Sequence, residues 1–120
     1  MATNVLITGG AGFIGSNICE KLLQMDDIGL VRTVDNLVTG YHENIQSFLP
    51  HKKFEFIEGD IRDFAVCQKM MEGMDVVLHQ AALGSVPRSV QNPLNTNDFN
   101  VIGTLNIFFA AKENKVKKIV

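Results

Sequence analysis

A chain of 120 residues that is 46% hydrophobic can bury one core of modest size, so a single domain or part of one is expected and two would be crowded. The net charge of −2, with both signs mixed along the chain, gives no electrostatic case for nucleic acid, and no run approaches the roughly 18 apolar residues of a membrane span. Cys19 and Cys67 stand far apart without a CxxC or Cys/His spacing, which argues against a zinc site or disulfide scaffold; with no secretory pattern at the start, the composition fits a soluble cytoplasmic protein.

In chain order, Asn4 to Thr8 is a short apolar run ending in glycines, the form of a strand buried on both faces. The stretch from Thr8 to Gly15, Thr-Gly-Gly-Ala-Gly-Phe-Ile-Gly, then places four glycines within seven residues. From Phe13 the period changes, and Ile14, Ile18, Leu22 and Leu23 line one helical face. Leu30 to Asp35 reads as a second strand and Asn36 to Asn44 as a polar connecting loop. Phe54 to Glu58 predicts a third strand, Phe64 to Glu72 a short helix, and Asp75 to His79 a fourth strand. Leu83 to Ser89 has the composition of a surface turn. Pro93 sits where a helix begins, and Leu94 to Glu113 supplies about five turns, with Val101, Leu105, Ile107, Phe108 and Ala111 as apolar contacts. Lys118 to Val120 opens a fifth strand.

Strands alternating with helices predict an α/β domain with a doubly wound parallel sheet, a Rossmann fold. The chain stops where the fifth strand starts, so the expectation is that residues 1–120 are the N-terminal part of a longer dinucleotide-binding domain. In its first strand-to-helix turn, Gly9 permits the tight reversal, Gly10 and Gly12 let the backbone approach a diphosphate, and Gly15 lets helix and strand pack closely. The helix starting near Gly12 or Phe13 points free N–H groups at the phosphates. The glycine string alone also describes a turn with no ligand. Asp35, 20 residues beyond Gly15, ends the second strand, where a carboxylate accepts from both adenosine ribose hydroxyls and repels a 2′-phosphate. NAD is favoured over NADP; Arg32 lies within the strand rather than after it and does not change that preference.

These residues, with Gly59-Asp60-Ile61-Arg62-Asp63, His79-Gln80-Ala81-Ala82 and Asn100-Val101-Ile102-Gly103-Thr104, resemble the successive signatures of the extended short-chain dehydrogenase/reductase family, the NAD-dependent nucleotide-sugar epimerases and dehydratases. The likeness runs from Asn4 to Val120. It implies NAD contacts at Gly9, Gly12, Phe13, Ile14 and Gly15 in the turn, and at Asp35, Asn36, Thr39 and Gly40 after the second strand. It also implies that Asp60 and Ile61 hold adenine, although an acid following a strand equally suits a helix cap. Gln80, Ala81 and Ala82 follow the fourth strand at the carboxyl edge, where open α/β sheets bind ligands, and the two alanines let a flat ribose-nicotinamide portion lie close. Asn100 is a poor helix former inside a predicted helix, which suggests a buried hydrogen bond; the family's matching Asn supports the active-site backbone near the cofactor, and a solvent-facing Asn is the alternative. Thr96 and Asn97 either share that role or are exposed. His79 reads as structural, and His42 and His51 as solvated.

Leu83 to Ser89 resembles the corresponding loop of UDP-N-acetylglucosamine 4-epimerases, with Gly84 and Ser85 leaving space beside C4 and the 2-acetamido side of a sugar. The resemblance implies a UDP-sugar substrate, specifically a UDP-N-acetylhexosamine, a place in polysaccharide biosynthesis, and a homodimer as a full-length protein. In such enzymes a tyrosine, paired with a lysine four residues on, takes the C4 hydroxyl proton while NAD+ accepts the C4 hydride, which returns to the other face of a 4-keto sugar. Tyr41 is the only tyrosine and Ile45 follows it four residues later, so the chain holds no YxxxK and no catalytic residue is assigned. A nucleotide-sugar 4,6-dehydratase, a non-catalytic NAD-binding module and a scaffold half that pairs with another polypeptide stay open.

Overall fold

Val5, Leu6 and Ile7 are buried together, because the strand that carries them lies in the middle of a sheet covered on both sides. In the computed structural model, which describes residues 2–120, that strand is β1 (Thr3–Thr8). It pairs in parallel with β2 (Ile28–Asp35) on one side and β4 (Val76–His79) on the other. The strands β3 (Phe54–Glu58) and β5 (Lys118–Ile119) complete an all-parallel sheet of order β3-β2-β1-β4-β5. Chain progress reverses direction across β1, which makes the carboxyl ends of β1 and β4 the topological switch point.

Alternating side chains of β1 feed two cores. Val5 and Ile7 join Val31 and the helix α1 (Phe13–Leu23) through Cys19 and Leu23. Leu6 joins Val34 and Val77 under α2 (Phe64–Met71) and α5 (Gly103–Glu113), which contribute Cys67, Met70, Met71, Ile107, Ala110 and Ala111. Helices on both faces of a parallel sheet confirm the predicted doubly wound class, and the strands lie within two residues of their expected bounds.

Two helical readings need correction. Ile14 does not face the core; it is exposed at the outer start of α1, and the buried positions are Gly15, Ser16, Cys19 and Leu23, with Ile18 and Leu22 half-buried. The segment expected as one helix from Leu94 to Glu113 is three pieces: α4 (Pro93–Asn97), a π-helical turn (Asp98–Ile102) and α5. An extra residue in that turn rotates the buried face. Phe99, Gly103, Ile107, Ala110 and Ala111 face inward, whereas Val101, Leu105 and Phe108 are exposed. A Cβ on Gly103 would lie 2.6 Å from Ile61 Cδ1, so bare backbone seats this turn against the sheet edge.

The turn expected at Leu83 to Ser89 instead leads into α3 (Val86–Gln91), whose start is capped by Ser85 Oγ accepting from Arg88 N–H at 3.3 Å. The loop after β2 contains short 3₁₀ turns at His42–Asn44 and Gln46–Phe48, pinned by the fully buried Ile45. His42 is exposed, as expected, with its ring edge-on to Phe56 at 6.2 Å. Among the described residues no helix is long and apolar enough to cross a membrane.

Candidate functional site

The chain reverses between β1 and α1 within Gly9 to Gly12. Gly9 takes φ +72°, the left-handed region, and a Cβ there would stand 2.8 Å from Ala81 N. A Cβ on Gly15 would lie 2.2 Å from Gly9 O, so helix and turn are in direct backbone contact. Gly10 departs from the expectation that it bares backbone to a diphosphate: it is buried, and its missing Cβ would fall 2.5 Å from Thr33 Cβ, so it packs the turn onto β2. Gly12 caps α1 without a side-chain partner, and Ser16 N–H is the first to bond back, to Gly12 O. The N–H groups of Phe13 to Gly15 carry the orphan donors and positive dipole of the helix start.

Asp35, the last residue of β2, faces this turn. Its Oδ2 accepts from Ala11 N–H at 3.0 Å and its Oδ1 from Leu37 N–H at 2.9 Å, and each oxygen keeps acceptor capacity. The following loop closes behind it: Ala11 O accepts from Tyr41 N–H at 3.0 Å and Asn44 Nδ2 at 2.8 Å, and a Cβ on Gly40 would lie 2.7 Å from Asp35 Oδ2. Arg32 is engaged elsewhere, donating from Nη1 to Met70 O and Glu72 O, both at 2.8 Å, and pairing with Glu55.

One cleft gathers Gly9, Gly12, Asp35, Asn36 and Thr39 on one side, Ile61 on another, and Gln80, Ala81 and Ala82 at the end of β4. Other candidates stand outside its lining. Phe13 and Ile14 are exposed on α1, Gly15 lies beneath the turn, and Gly40 sits behind Asp35. Gly84 and Ser85 lie on the surface before α3. The carboxylate of Asp60 is turned onto Arg62, with Oδ2 accepting from Nη2 at 2.6 Å, and that guanidinium holds the Asp60 carboxyl below its usual value. Arg62 also lies 3.9 Å over the ring of Phe99, so the acid is anchored at the cleft's margin.

Sequence reading missed Val34, Gly59, Leu83 and Phe99 as lining residues. Phe99 did carry a signal, since it stands four and eight residues before the buried Gly103 and Ile107. Half-buried Asn100 makes hydrogen bonds of the kind expected of it: Oδ1 accepts from Leu83 N–H at 2.7 Å and Nδ2 donates to Leu83 O at 2.8 Å, fixing the backbone that enters the cleft. Thr96 is half-buried and Asn97 exposed. Burial pushes the thiols of Cys19 and Cys67 up to about 12, so neither is a thiolate near neutral pH. Among the described residues no cluster of His, Cys, Asp and Glu could hold a metal ion.

A bare-backbone turn at a helix start, beside a carboxylate with acceptor capacity on one cleft at the switch point, fits a dinucleotide. Comparison with known proteins agrees with that chemistry. The family model described as GDP-mannose 4,6 dehydratase matches residues 6–120. A putative UDP-glucose 4-epimerase of Methanocaldococcus jannaschii is 42% identical over 117 residues, covering 97% of this chain and 36% of that protein. The solved structure of a UDP-N-acetylglucosamine 4-epimerase from Methanobrevibacter ruminantium, in complex with UDP-N-acetylmuramic acid, is 42% identical with a TM-score of 0.87, over 98% of this chain and 36% of its own. The dTDP-glucose 4,6-dehydratase DesIV of Streptomyces venezuelae, solved with NAD and TYD bound, superposes with a TM-score of 0.89 at 29% identity, over 98% and 38%. The chain thus spans little more than a third of the length of these relatives.

Proposed function

The chain belongs to the GDP-mannose 4,6 dehydratase family, and on that premise we propose that it is the NAD-binding portion of a nucleotide-sugar 4-epimerase. The observation that carries this reading is the glycine turn and Asp35 meeting on one cleft. The open N–H groups at the start of α1 hold the diphosphate, where the helix dipole favours negative charge. Asp35 accepts from the ribose hydroxyls, and its charge disfavours a 2′-phosphate. Ile61 and Phe99 give adenine an apolar wall, with Asp60 anchored at its margin by Arg62. Gln80, Ala81 and Ala82 leave the nicotinamide half close to the end of β4. Bound NAD+ supplies reversible removal and return of a hydride at a sugar carbon. The residues of this chain bind and orient; Tyr41, exposed on the loop tied to Ala11, is given no proton-transfer role.

For substrate, we favour a UDP-N-acetylhexosamine resting near Gly84 and Ser85, on the resemblance of that loop and the likeness to the Methanobrevibacter ruminantium enzyme. We further propose that the whole protein serves polysaccharide biosynthesis and works in the cytoplasm. The exposed apolar face of α5 supports a homodimer, since unpartnered patches of this kind mark association surfaces. The test is conversion of UDP-GlcNAc to UDP-GalNAc by the purified full-length protein. A 4-keto-6-deoxy product assigns the second reading, a dehydratase, which the likeness to DesIV supports. NAD binding without turnover of any nucleotide sugar leaves a binding module.

A further inference from the structure

Beneath the rim formed by Gln80 and Ala81 runs a chain of side-chain hydrogen bonds that the dinucleotide reading leaves unused. Thr8, at the end of β1, is fully buried, and its Oγ1 accepts from Gln80 N–H at 3.0 Å and from Ala81 N–H at 3.1 Å. A hydroxyl oxygen has two lone pairs and one proton, so with both lone pairs taken its third contact must be a donation. That contact is His79 Nδ1, at 2.6 Å. Nδ1 is then the acceptor, the ring proton sits on Nε2, and Nε2–H donates to Thr104 Oγ1 of α5 at 2.9 Å. Gln80 N–H also reaches Thr8 O at 3.1 Å, so Ala81 N–H is the donor that depends on the hydroxyl alone. Ala81 is also the residue that the glycine turn touches, since a Cβ on Gly9 would lie 2.8 Å from its nitrogen.

We infer that His79 is a positioning residue for the cleft: as the neutral Nε2–H tautomer it aims the Thr8 hydroxyl so that Ala81 is held against Gly9, and its protonation loosens that rim and weakens dinucleotide binding. The binding consequence rests on the dinucleotide reading above; the tautomer does not. A proton added at Nδ1 would face the Thr8 hydroxyl proton, and reversing that hydroxyl would make Oγ1 accept three donors. No charged side chain offsets this. β1 presents Thr8 and α5 presents Thr104, while the residue after β5, Val120, meets His79 through the main chain, its carbonyl oxygen accepting from His79 N–H. Of the charged groups on these elements, Asp75 and Lys117 pair with each other at the opposite end of β4, and Lys112, Glu113 and Lys118 are exposed. Burial is the cause that lowers the His79 pKa from its usual value. For a histidine with a depressed folded value, the native arrangement is intact above the unfolded value and is lost as pH falls through the folded one.

The test reads tautomer and binding separately. Long-range proton–nitrogen NMR spectra of the labelled protein at about pH 7.5 are expected to show His79 neutral and protonated on Nε2. An Nδ1–H tautomer, or a charged ring, overturns the inference whatever NAD+ does. Calorimetric titration with NAD+ is expected to weaken by roughly threefold to tenfold, as for one lost hydrogen bond, once His79 titrates. His79→Gln binds NAD+ with an affinity that no longer follows that titration. Thr104→Val, which deletes only the Nε2–H acceptor, shifts the pH midpoint of binding and serves if the glutamine variant fails to fold. A wild-type pH profile retained in either folded variant overturns the inference. No NAD+ binding by the wild type at any pH overturns the dinucleotide reading, and the binding half of this inference with it, while the NMR result still decides the tautomer.

Discussion

The glycine turn with Asp35 and the helical stretch from Val86 to Phe109 are held by opposite means. In the first, main chain meets main chain with one carboxylate and one amide added: Gly9 and Gly10 N–H both reach Val34 O, Ala11 N–H reaches the Asp35 carboxylate, and Ala11 O accepts from Tyr41 N–H and from the Asn44 side chain. In the second, side-chain caps at Ser85 and Asn92 and the Asn100 bonds to Leu83 fix the path, while Val86, Val90, Leu94 and Leu105 stand exposed. The first region is determined by contacts within the chain. The second leaves those apolar side chains exposed.

That contrast can be broken from either side. Gly15→Ala forces a Cβ to 2.2 Å from Gly9 O, and thermal or denaturant unfolding should show a loss of about 3 kcal/mol. Gly84→Ala meets nothing within 4 Å and should change stability by no more than about 0.5 kcal/mol, so equal effects at the two glycines would erase the distinction. Asp35→Ala should weaken NAD+ binding by roughly tenfold to a hundredfold in calorimetry, the range for hydrogen bonds to a charged group. Arg62→Ala removes the partner that holds the Asp60 carboxyl low. Because a depressed carboxylate stabilises above its unfolded pKa and loses that stability as pH falls through the folded value, the variant should lose less stability on acidification than the wild type. An NMR titration of the Asp60 carboxyl would show its midpoint rise toward the ordinary value. Smallest of all, Leu105→Lys should change folding stability by about 0.5 kcal/mol or less, because the side chain is 59% exposed; a cost of several kcal/mol would mean that this face is core.

Legibility in the sequence followed the same division. Strand ends, the turn and Asp35 were readable because each imposes a local demand, a buried apolar run, a backbone without Cβ or a carboxylate at a fixed place. Gly10 was misread because its neighbour Thr33 comes from another strand, and nothing local reports that contact. Val101, Leu105 and Phe108 were misread because apolar character was taken for burial: Leu105 and Phe108 lie in the same regular helix as Ile107 and Ala111 but off the face that those two share, so 3.6-residue periodicity already sets them apart. The start of α3 did carry a signal, Ser85 followed by Pro87, the pattern of a capped helix start; its resemblance to a surface turn concealed it. The orientation of Asp60 toward Arg62 had no comparable signal, since an acid following a strand fits an adenine site or a helix cap equally well.

The central claim is that the glycine turn and Asp35 form a dinucleotide site, and amide chemical-shift mapping with NAD+ tests it most directly. Addition of NAD+ should move the amide signals of Gly9, Gly12 to Gly15, Asp35 and Gln80 to Ala82 together and saturably. Shifts confined to the exposed face of Leu94 to Phe108, or no saturable shifts at all, would contradict it.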